Sequence, residues 1–296
     1  MPELPEVETV RRQLEPELSG RTVESVSVLD HYFTKPDDPG RFERSVQGRT
    51  FSGVGRRGKY LLLHFEDGDT LVVHLRMTGN LVLADGDGES RPTDGRIYRP
   101  ATDSHLKLRI DLGDDLELRF TDPRRFGRGF VASPEELESY LGERLGAEPL
   151  SDEFTVEDLA RVTAGRTGPL KSLLLNQAVV AGIGNIYADE ALHRAGLHPL
   201  SPGGSMKPEH HVALHRGIVD ALQRGIDLGG ASIDDYRDAR GGNGAMQEEF
   251  LVHLREGEGC FECGGTIVRI VVGGRSTYYC PECQVRLRRK PKRRGR

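Results

Sequence analysis

The sequence predicts an α+β multidomain fold, and three patterns carry that prediction. Apolar residues open the chain at helical spacing, residues 21–132 alternate mostly at period two, and from Ser151 the period becomes helical before the chain closes on two Cys-x-x-Cys pairs. A length of 296 residues reaches the size at which single cores give way to several domains.

Taken in order, Leu4, Val7, Val10 and Leu14 define one face of a first helix. Pro5 suits its first turn, where a missing N–H costs nothing, and Glu6 and Glu8 sit well against the positive end of the helix dipole. Two hairpins follow. Residues 60–65 and 70–75 flank the turn Glu66-Asp67-Gly68-Asp69, and Leu106, Leu108, Ile110 and Leu112 are answered by Leu116, Leu118 and Phe120 across Gly113-Asp114-Asp115. Short strands at this spacing predict a β-sandwich. Residues 85–103, rich in Gly and Asp, read as a solvent loop. After a linker near 146–151, helices are expected over 152–162, over 170–180 with Pro169 at the start, over 185–195 and over 210–228. The stretch Val179-Val180-Ala181-Gly182-Ile183-Gly184-Asn185 joins two of them. Its small residues let the backbone turn tightly, and Asn185 is placed either to cap the next helix or to bond a phosphate.

The four cysteines stand as Cys260-x2-Cys263 and Cys280-x2-Cys283, sixteen residues apart. Each Cys-x-x-Cys turn can aim two thiolates at one point, so two such turns close a tetrahedral zinc site. No cysteine is left over as nucleophile or open position. One structural Zn2+ is therefore expected, its binding energy replacing a core that so short a segment cannot build. Two disulfides are the alternative, disfavoured because nothing else in the chain suggests export. Between the pairs, residues 266–279 read as two short strands about Gly273-Gly274, which puts Arg275 at the tip of a β-hairpin finger.

The net charge of −5 argues against a nucleic-acid partner only until its distribution is read. Residues 286–296 hold eight Lys or Arg and no acid, leaving 33 basic against 46 acidic groups, a net −13, on the rest of the chain. Binding is decided by the local face, so nucleic acid stays open, as does a tail that is merely solvated. No run is apolar enough for a membrane span, and three early glutamates replace the basic start of a secretory signal. An intracellular, cytoplasmic address without membrane contact is the expectation.

Methionine before proline is normally removed, which would free the Pro2 nitrogen as a secondary amine. An α-amine has a pKa of roughly 7.7 to 8.0 against about 10.4 for lysine, so it is unprotonated about a hundred times more often at neutral pH. A higher-lying proline amine would shrink that gain. Attack on a sugar C1′ or an aldehyde gives an iminium, an electron sink like a lysine Schiff base. Glu3, just ahead of the helix, is placed to donate or accept a proton. An ordinary capped helix start explains the same residues without chemistry.

PELPEVET at 2–9, RRGKYLLL at 56–63, HLRMTG at 74–79, TDPRRFG at 121–127, EPLS at 148–151, GIGNIYADEALHRAG at 182–196 and RSTYYCPECQ at 275–284 together resemble the bacterial formamidopyrimidine-DNA glycosylase family. The likeness runs from Pro2 to about Gln284. It implies a β-sandwich domain over 1–146 with the catalytic residues, a helix-two-turn-helix DNA-binding domain over 147–240, a lesion loop and zinc finger over 241–285 and a basic tail over 286–296. It further implies a bifunctional base-excision repair enzyme that removes 8-oxoguanine and formamidopyrimidines from double-stranded DNA, acting as a monomer at the nucleoid. On the matching positions Pro2 would attack C1′, Glu3 would be its acid/base partner, Lys59 a proton donor in β-elimination or a phosphate contact, and Arg275 a lesion-phosphate contact assisting δ-elimination. Met77, Arg124 and Phe126 match the residues that fill the hole left by a flipped base, and His74, Arg166, Lys171, Asn185 and Arg275 are phosphate-contact candidates.

The chain departs from the family pattern in places. Gly241-Gly242-Asn243-Gly244-Ala245-Met246-Gln247 and then Val252-His253-Leu254-Arg255 stand where the family has a Gly-rich loop, Phe-Gln and Val-Tyr-Gly-Arg. Asp103 stands where a DNA-contacting histidine is expected, in a longer loop, and the tail is extra. Two rivals are an endonuclease VIII-like enzyme for oxidised pyrimidines, which would start PEGPE and lack PRRFG, and a catalytically silent zinc-finger DNA-binding protein, which leaves Pro2, Glu3 and Lys59 without a purpose.

Overall fold

The structure is a computed structural model and describes residues 1–85, 105–233 and 235–288. The loop expected over 85–103 therefore lies outside the described residues from 86 on, as do Asp103 and the tail beyond residue 288. Two compact units share the chain: Met1–Glu143 with Gly225–Gln247, and Arg144–Arg224 with the residues from Glu248 onward.

In the first unit, α1 (Leu4–Leu18) leads into two antiparallel four-stranded sheets. One sheet orders β2 (Phe51–Arg57), β3 (Tyr60–Phe65), β4 (Thr70–His74) and β8 (Arg128–Ala132); the other orders β1 (Ser25–Val28), β6 (Leu106–Asp111), β7 (Leu116–Thr121) and β5 (Asn80–Asp85). Both expected hairpins form, with Leu61 opposite Val73 and Ile110 opposite Leu118. The period-two pattern explains the packing. Leu61, Leu63, Phe65, Leu71 and Val73 join Leu81, Leu108, Ile110 and Phe120 in one buried core, together with Val7, Val10, Leu14 and Leu18 of α1. Each of these α1 side chains contributes about 1.5–3 kcal/mol of burial, which secures the helix better than its intrinsic propensity does.

Two helices of this unit were not expected from the sequence. In α2 (Pro39–Val46) the Asp38 carboxylate accepts the Arg41 N–H at 3.0 Å, and in α3 (Pro134–Gly142) Ser133 and Glu136 form a reciprocal capping box. The outer face of the first sheet is covered by α3, whose Tyr140 ring packs 4.8 Å from Phe130.

The second unit holds α4 (Val156–Thr163), α5 (Leu170–Leu175), α6 (Asn185–Arg194) and most of α7 (Pro208–Asp227), followed by the hairpin of β9 (Val268–Val272) and β10 (Arg275–Tyr279). The first two helices are shorter than expected. Thr155 caps α4, its hydroxyl accepting the Asp158 N–H at 3.1 Å, so the helix cannot begin at 152. The Asn176 side chain accepts the Ala178 N–H at 3.1 Å, an Asx turn that ends α5 before 180. The hairpin pairs Arg275 with Val272 about Gly273 and Gly274, both at positive φ, the geometry that a two-residue turn of matching twist requires.

The close packing around Gly129 gives a test. A Cβ at this position would overlap the Phe33 ring, itself buried in the core. Gly129→Ala should lower stability by about 1–3 kcal/mol, read as a fall in the urea midpoint with unchanged m.

Candidate active site and metal centre

The N-terminus is buried and clamped. Pro2 and Glu3 are buried, whereas Met1 is 43% exposed. The Glu3 N–H donates to Glu6 Oε2 at 2.8 Å, and Glu6 Oε1 accepts the Ala231 N–H at 2.7 Å. The Tyr236 hydroxyl donates to the Glu6 carbonyl at 3.2 Å. Gly230, at φ +84, packs so close to Glu6 that a Cβ would meet its Cγ at 2.8 Å. Further along α1, Gln13 Nε2 donates to Asp238 at 3.0 Å and Gln13 Oε1 accepts the Ala239 N–H at 2.8 Å. Gly230, Ala231, Tyr236, Asp238 and Ala239 thus strap the helix down, and Gly225–Gln247 groups with the first unit. Burial raises the Tyr236 pKa well above its usual value, so this hydroxyl stays a donor.

A second bracket reaches Lys59. Burial alone would raise the Glu8 carboxyl, but Arg11, Arg12 and Arg56 outweigh it and hold the pKa below the usual range. Arg56 Nε donates to Glu8 at 3.0 Å and Arg56 Nη1 donates to the Gly58 carbonyl at 3.0 Å. Gly58 has φ +56, so the turn that presents Lys59, itself only 5% exposed, is tied to α1 through one guanidinium.

Asp122 organises both loops that carry the expected hole-filling residues. This buried carboxylate accepts the Thr78 hydroxyl at 2.5 Å and the Arg124 N–H at 3.1 Å on Oδ1, and the Phe126 and Gly127 N–H groups, both at 2.7 Å, on Oδ2. Phe126 stands 48% exposed rather than in the core where its residue type belongs by default, Met77 is half-buried, and the Arg124 guanidinium lies 4.9 Å from the Phe126 ring. Arg76 and Arg125, beside them, hold left-handed φ of +57 and +59, strain of about 1–3 kcal/mol each that neighbouring contacts must offset. For Arg125 the neighbour is Asp30, which accepts two hydrogen bonds from it at 2.7 and 2.9 Å and whose pKa is held at about 2, chiefly by that guanidinium.

His74 lies at the end of β4, its Nδ1 accepting the Arg76 N–H at 3.0 Å, so the neutral ring carries its proton on Nε2. Burial first, then the charges of Arg76 and Lys59, lower its pKa from 6.5 to about 3.

In the second unit the expected phosphate contacts separate. Arg166 and Arg275 are exposed. Lys171 is fully buried instead, its Nζ 2.7 Å from Asp189 Oδ1 and donating at 3.0 Å to the Ser276 carbonyl, so as placed it braces the fold and does not face a phosphate. Asn185 does not cap α6, where Gly184 stands as N-cap; its Nδ2 donates to the same Ser276 carbonyl at 3.0 Å. Two side chains thus grip the backbone next to Arg275. Asp189 also meets His253 Nδ1 at 2.9 Å, and buried Glu190 accepts the N–H groups of Leu251, Val252 and His253 at about 3.0 Å, burial keeping its carboxyl above the usual range. In the segment they hold, Leu254 takes φ +60, a conformation that favours the glycine of the family pattern.

The four thiol sulfurs lie within 4.8 Å of one another, with Cys260 to Cys283 at 3.8 Å and Cys263 to Cys280 at 3.5 Å. A disulfide needs about 2.05 Å, whereas four thiolates about 2.3 Å from a tetrahedral ion stand about 3.8 Å apart. The cysteines fit one structural zinc ion. Among the described residues, Val252, Ile267 and Tyr278 complete an apolar cluster around them, too little to fold the finger without metal.

From the sequence, Glu6 and Glu8 are partners of the helix dipole and no more, Arg56 and Asp122 are motif members without a task, and nothing marks Ala231 or Tyr236. Acidic residues inside an apolar helix face were the available signal; their partners were not.

Known proteins resemble this chain in sequence and fold. Residues 1–129 match the family described as formamidopyrimidine-DNA glycosylase N-terminal domain, residues 145–237 its H2TH domain, and residues 257–285 a zinc finger found in FPG and IleRS. A formamidopyrimidine-DNA glycosylase of Chloroflexus aurantiacus is 43% identical over 96% of this chain and 98% of its own, and one of Roseiflexus is 42% identical over 96% and 100%. Among solved structures, a Lactococcus lactis FPG variant with Fapy-dG containing DNA superposes with a TM-score of 0.85 at 35% identity, covering 96% of this chain and 99% of that one. The wild-type Lactococcus lactis protein with oxidised-pyrimidine containing DNA gives 0.84 at 34% identity over 96% and 99%.

Two predictions follow from the site itself. The folded-state pKa of His74 lies below its unfolded value, so between about pH 6.5 and pH 3 only the unfolded chain takes up the proton and stability falls as pH drops. His74→Asn, which keeps an acceptor for the Arg76 N–H, should therefore lose less stability across that window in urea titrations; equal slopes would remove His74 from the acid limb. For the metal centre, Cys280→Ser or chelation should open residues 257–285 to limited proteolysis while residues 1–85 and 105–129 stay protected.

Proposed function

The chain belongs to the formamidopyrimidine-DNA glycosylase family, and we propose that it is a bifunctional DNA glycosylase and abasic-site lyase of base-excision repair, acting on oxidised purines in duplex DNA. Pro2 supplies the nucleophile. Once Met1 is removed, its amine attacks C1′ of the damaged nucleotide as the N-glycosidic bond breaks, and the base leaves with the amine proton. Protonation of O4′ then lets the C1′–O4′ bond break, so that an iminium links the enzyme to the ring-opened sugar. Glu3 is the acid/base partner at the sugar, and Lys59 donates or relays protons in the β-elimination that breaks the 3′ C–O bond. Arg275 contacts the lesion phosphate and assists the δ-elimination that breaks the 5′ C–O bond, leaving a one-nucleoside gap with phosphate ends.

The observation that carries this reading is the clamped start of α1. A nucleophile must be held within reach of C1′ against thermal motion, and termini ordinarily fray. Here Glu6 spends both carboxylate oxygens and its carbonyl on holding the first turn, with Glu3 buried just ahead of it. Exposed Phe126, half-buried Met77 and Arg124 suit a wedge, a filler for the vacated stack and a partner for the orphaned cytosine. His74, Asn185 and Arg166 are read as phosphate contacts that set register without reading sequence, and Lys171 as a brace behind Arg275. A second reading, that oxidised pyrimidines are also substrates, has a specific motive: a Lactococcus lactis relative is described in complex with DNA containing one.

Borohydride should trap a covalent complex with duplex DNA containing 8-oxoguanine opposite cytosine or formamidopyrimidine, and Pro2→Gly or Glu3→Gln should reduce or abolish it. Absence of any trapped species with oxidised-purine or abasic duplex refutes the Schiff-base route. Thymine glycol in the same assay decides the second reading, since trapping comparable with 8-oxoguanine extends the substrate range to pyrimidines.

A further inference from the structure

His193 belongs to no part of the reaction, yet it points a ring nitrogen at the metal centre. It lies in the last turn of α6, 6% exposed, with Nε2 at 3.5 Å from Cys260 Sγ. It is not a fifth ligand, because among the described residues only the four thiols gather closely enough to share an ion. Its other nitrogen, Nδ1, is buried without a hydrogen-bond partner among the described residues. A metal-bound thiolate offers no proton, so a neutral imidazole at this distance is favourably placed only when Nε2 carries the hydrogen. The unsatisfied Nδ1 is then the cost of fixing that tautomer.

We propose that His193 donates its Nε2–H to the zinc-bound Cys260 thiolate, as a positioning residue that slows loss of the ion and fastens the finger to α6. Four thiolates on one Zn2+ leave an excess negative charge on sulfur, and each N–H that meets a sulfur spreads it and holds the ligand in place. Cys263 receives such a donor from the backbone, the Gly265 N–H at 3.4 Å. For Cys260 the side-chain donor comes from outside the finger, on a helix whose following residues are laced to it: the Val285 N–H donates to the Gly196 carbonyl at 2.9 Å and Gln284 Nε2 to the Leu197 carbonyl at 2.9 Å. His193 and Cys283 also line an open groove of about 760 Å³ with Arg194, Glu209 and Glu262, so solvent space borders the centre beside Cys283. A donor on this side resists displacement of the thiolate where water and chelators arrive.

The test uses the zinc-loaded full-length protein and does not depend on the glycosylase reading. His193→Phe keeps an aromatic ring and removes the donor, whereas His193→Gln keeps an N–H near the Nε2 position. Zinc transfer to pyridylazoresorcinol should be about tenfold faster in His193→Phe and within about twofold of wild type in His193→Gln. A wild-type rate in His193→Phe, or equal rates in the two variants, overturns the assignment. If His193→Phe does not fold, cobalt-loaded His193→Asn, whose shorter amide cannot reach the sulfur, serves instead. Its thiolate-to-cobalt charge-transfer band should move to longer wavelength while that of His193→Gln stays in place, and an unmoved band in His193→Asn overturns the proposal.

Discussion

The Glu6 carboxylate is the contact on which the N-terminal end of the molecule rests. One oxygen holds the Glu3 N–H, three residues away, and the other holds the Ala231 N–H, 225 residues away. Removing either partner would leave a buried carboxylate short of a donor, and such a loss costs more than a typical hydrogen bond contributes. The same carboxylate also explains a glycine. Gly230 must be small and left-handed because Glu6 occupies the space its Cβ would need. The nucleophile proposed at Pro2 requires such an anchor, because a reacting amine must be held within reach of its carbon.

The rest of the molecule repeats the device. Asp122 ties together the Met77 and Phe126 loops, Asp189 pairs with Lys171 beneath the Arg275 hairpin, and Glu190 gathers three N–H groups before Leu254. Each is buried, each joins chain segments remote in sequence, and each holds a loop that bears a candidate site residue or a strained one. Buried ions of this kind add little net stability, since desolvation offsets much of their attraction, but they are costly to break. They define single loop geometries where apolar packing would accept several. The zinc ion does the same for the finger, which has only a small apolar cluster to hold it.

The fold was largely legible in the sequence, and the exceptions have local causes. The hairpins of residues 60–75 and 106–121 and the Gly273-Gly274 finger declare themselves through alternation and turn residues within reach of one another. Helices α2 and α3 were missed although Asp38-Pro39 and Ser133-Pro134 with Glu136 are capping signals, because each helix is short and its apolar stripe brief. The candidate site was legible as residue types but not as tasks. Lys171 read as a surface cation and is internal, since the carboxylate that neutralises it lies a helix away at Asp189.

By itself, then, the sequence determined the layered plan and the zinc ligands, because period, turn composition and Cys-x-x-Cys spacing are all local properties. Only the tertiary structure decided which of its many charges lie exposed and which are buried braces. That distinction depends on burial and on partners tens to hundreds of residues away, as between Glu6 and Ala231, Thr78 and Asp122, or Gln13 and Ala239. A carboxylate in a helix start is a dipole partner until a distant N–H arrives to claim it, and that arrival is a property of the fold.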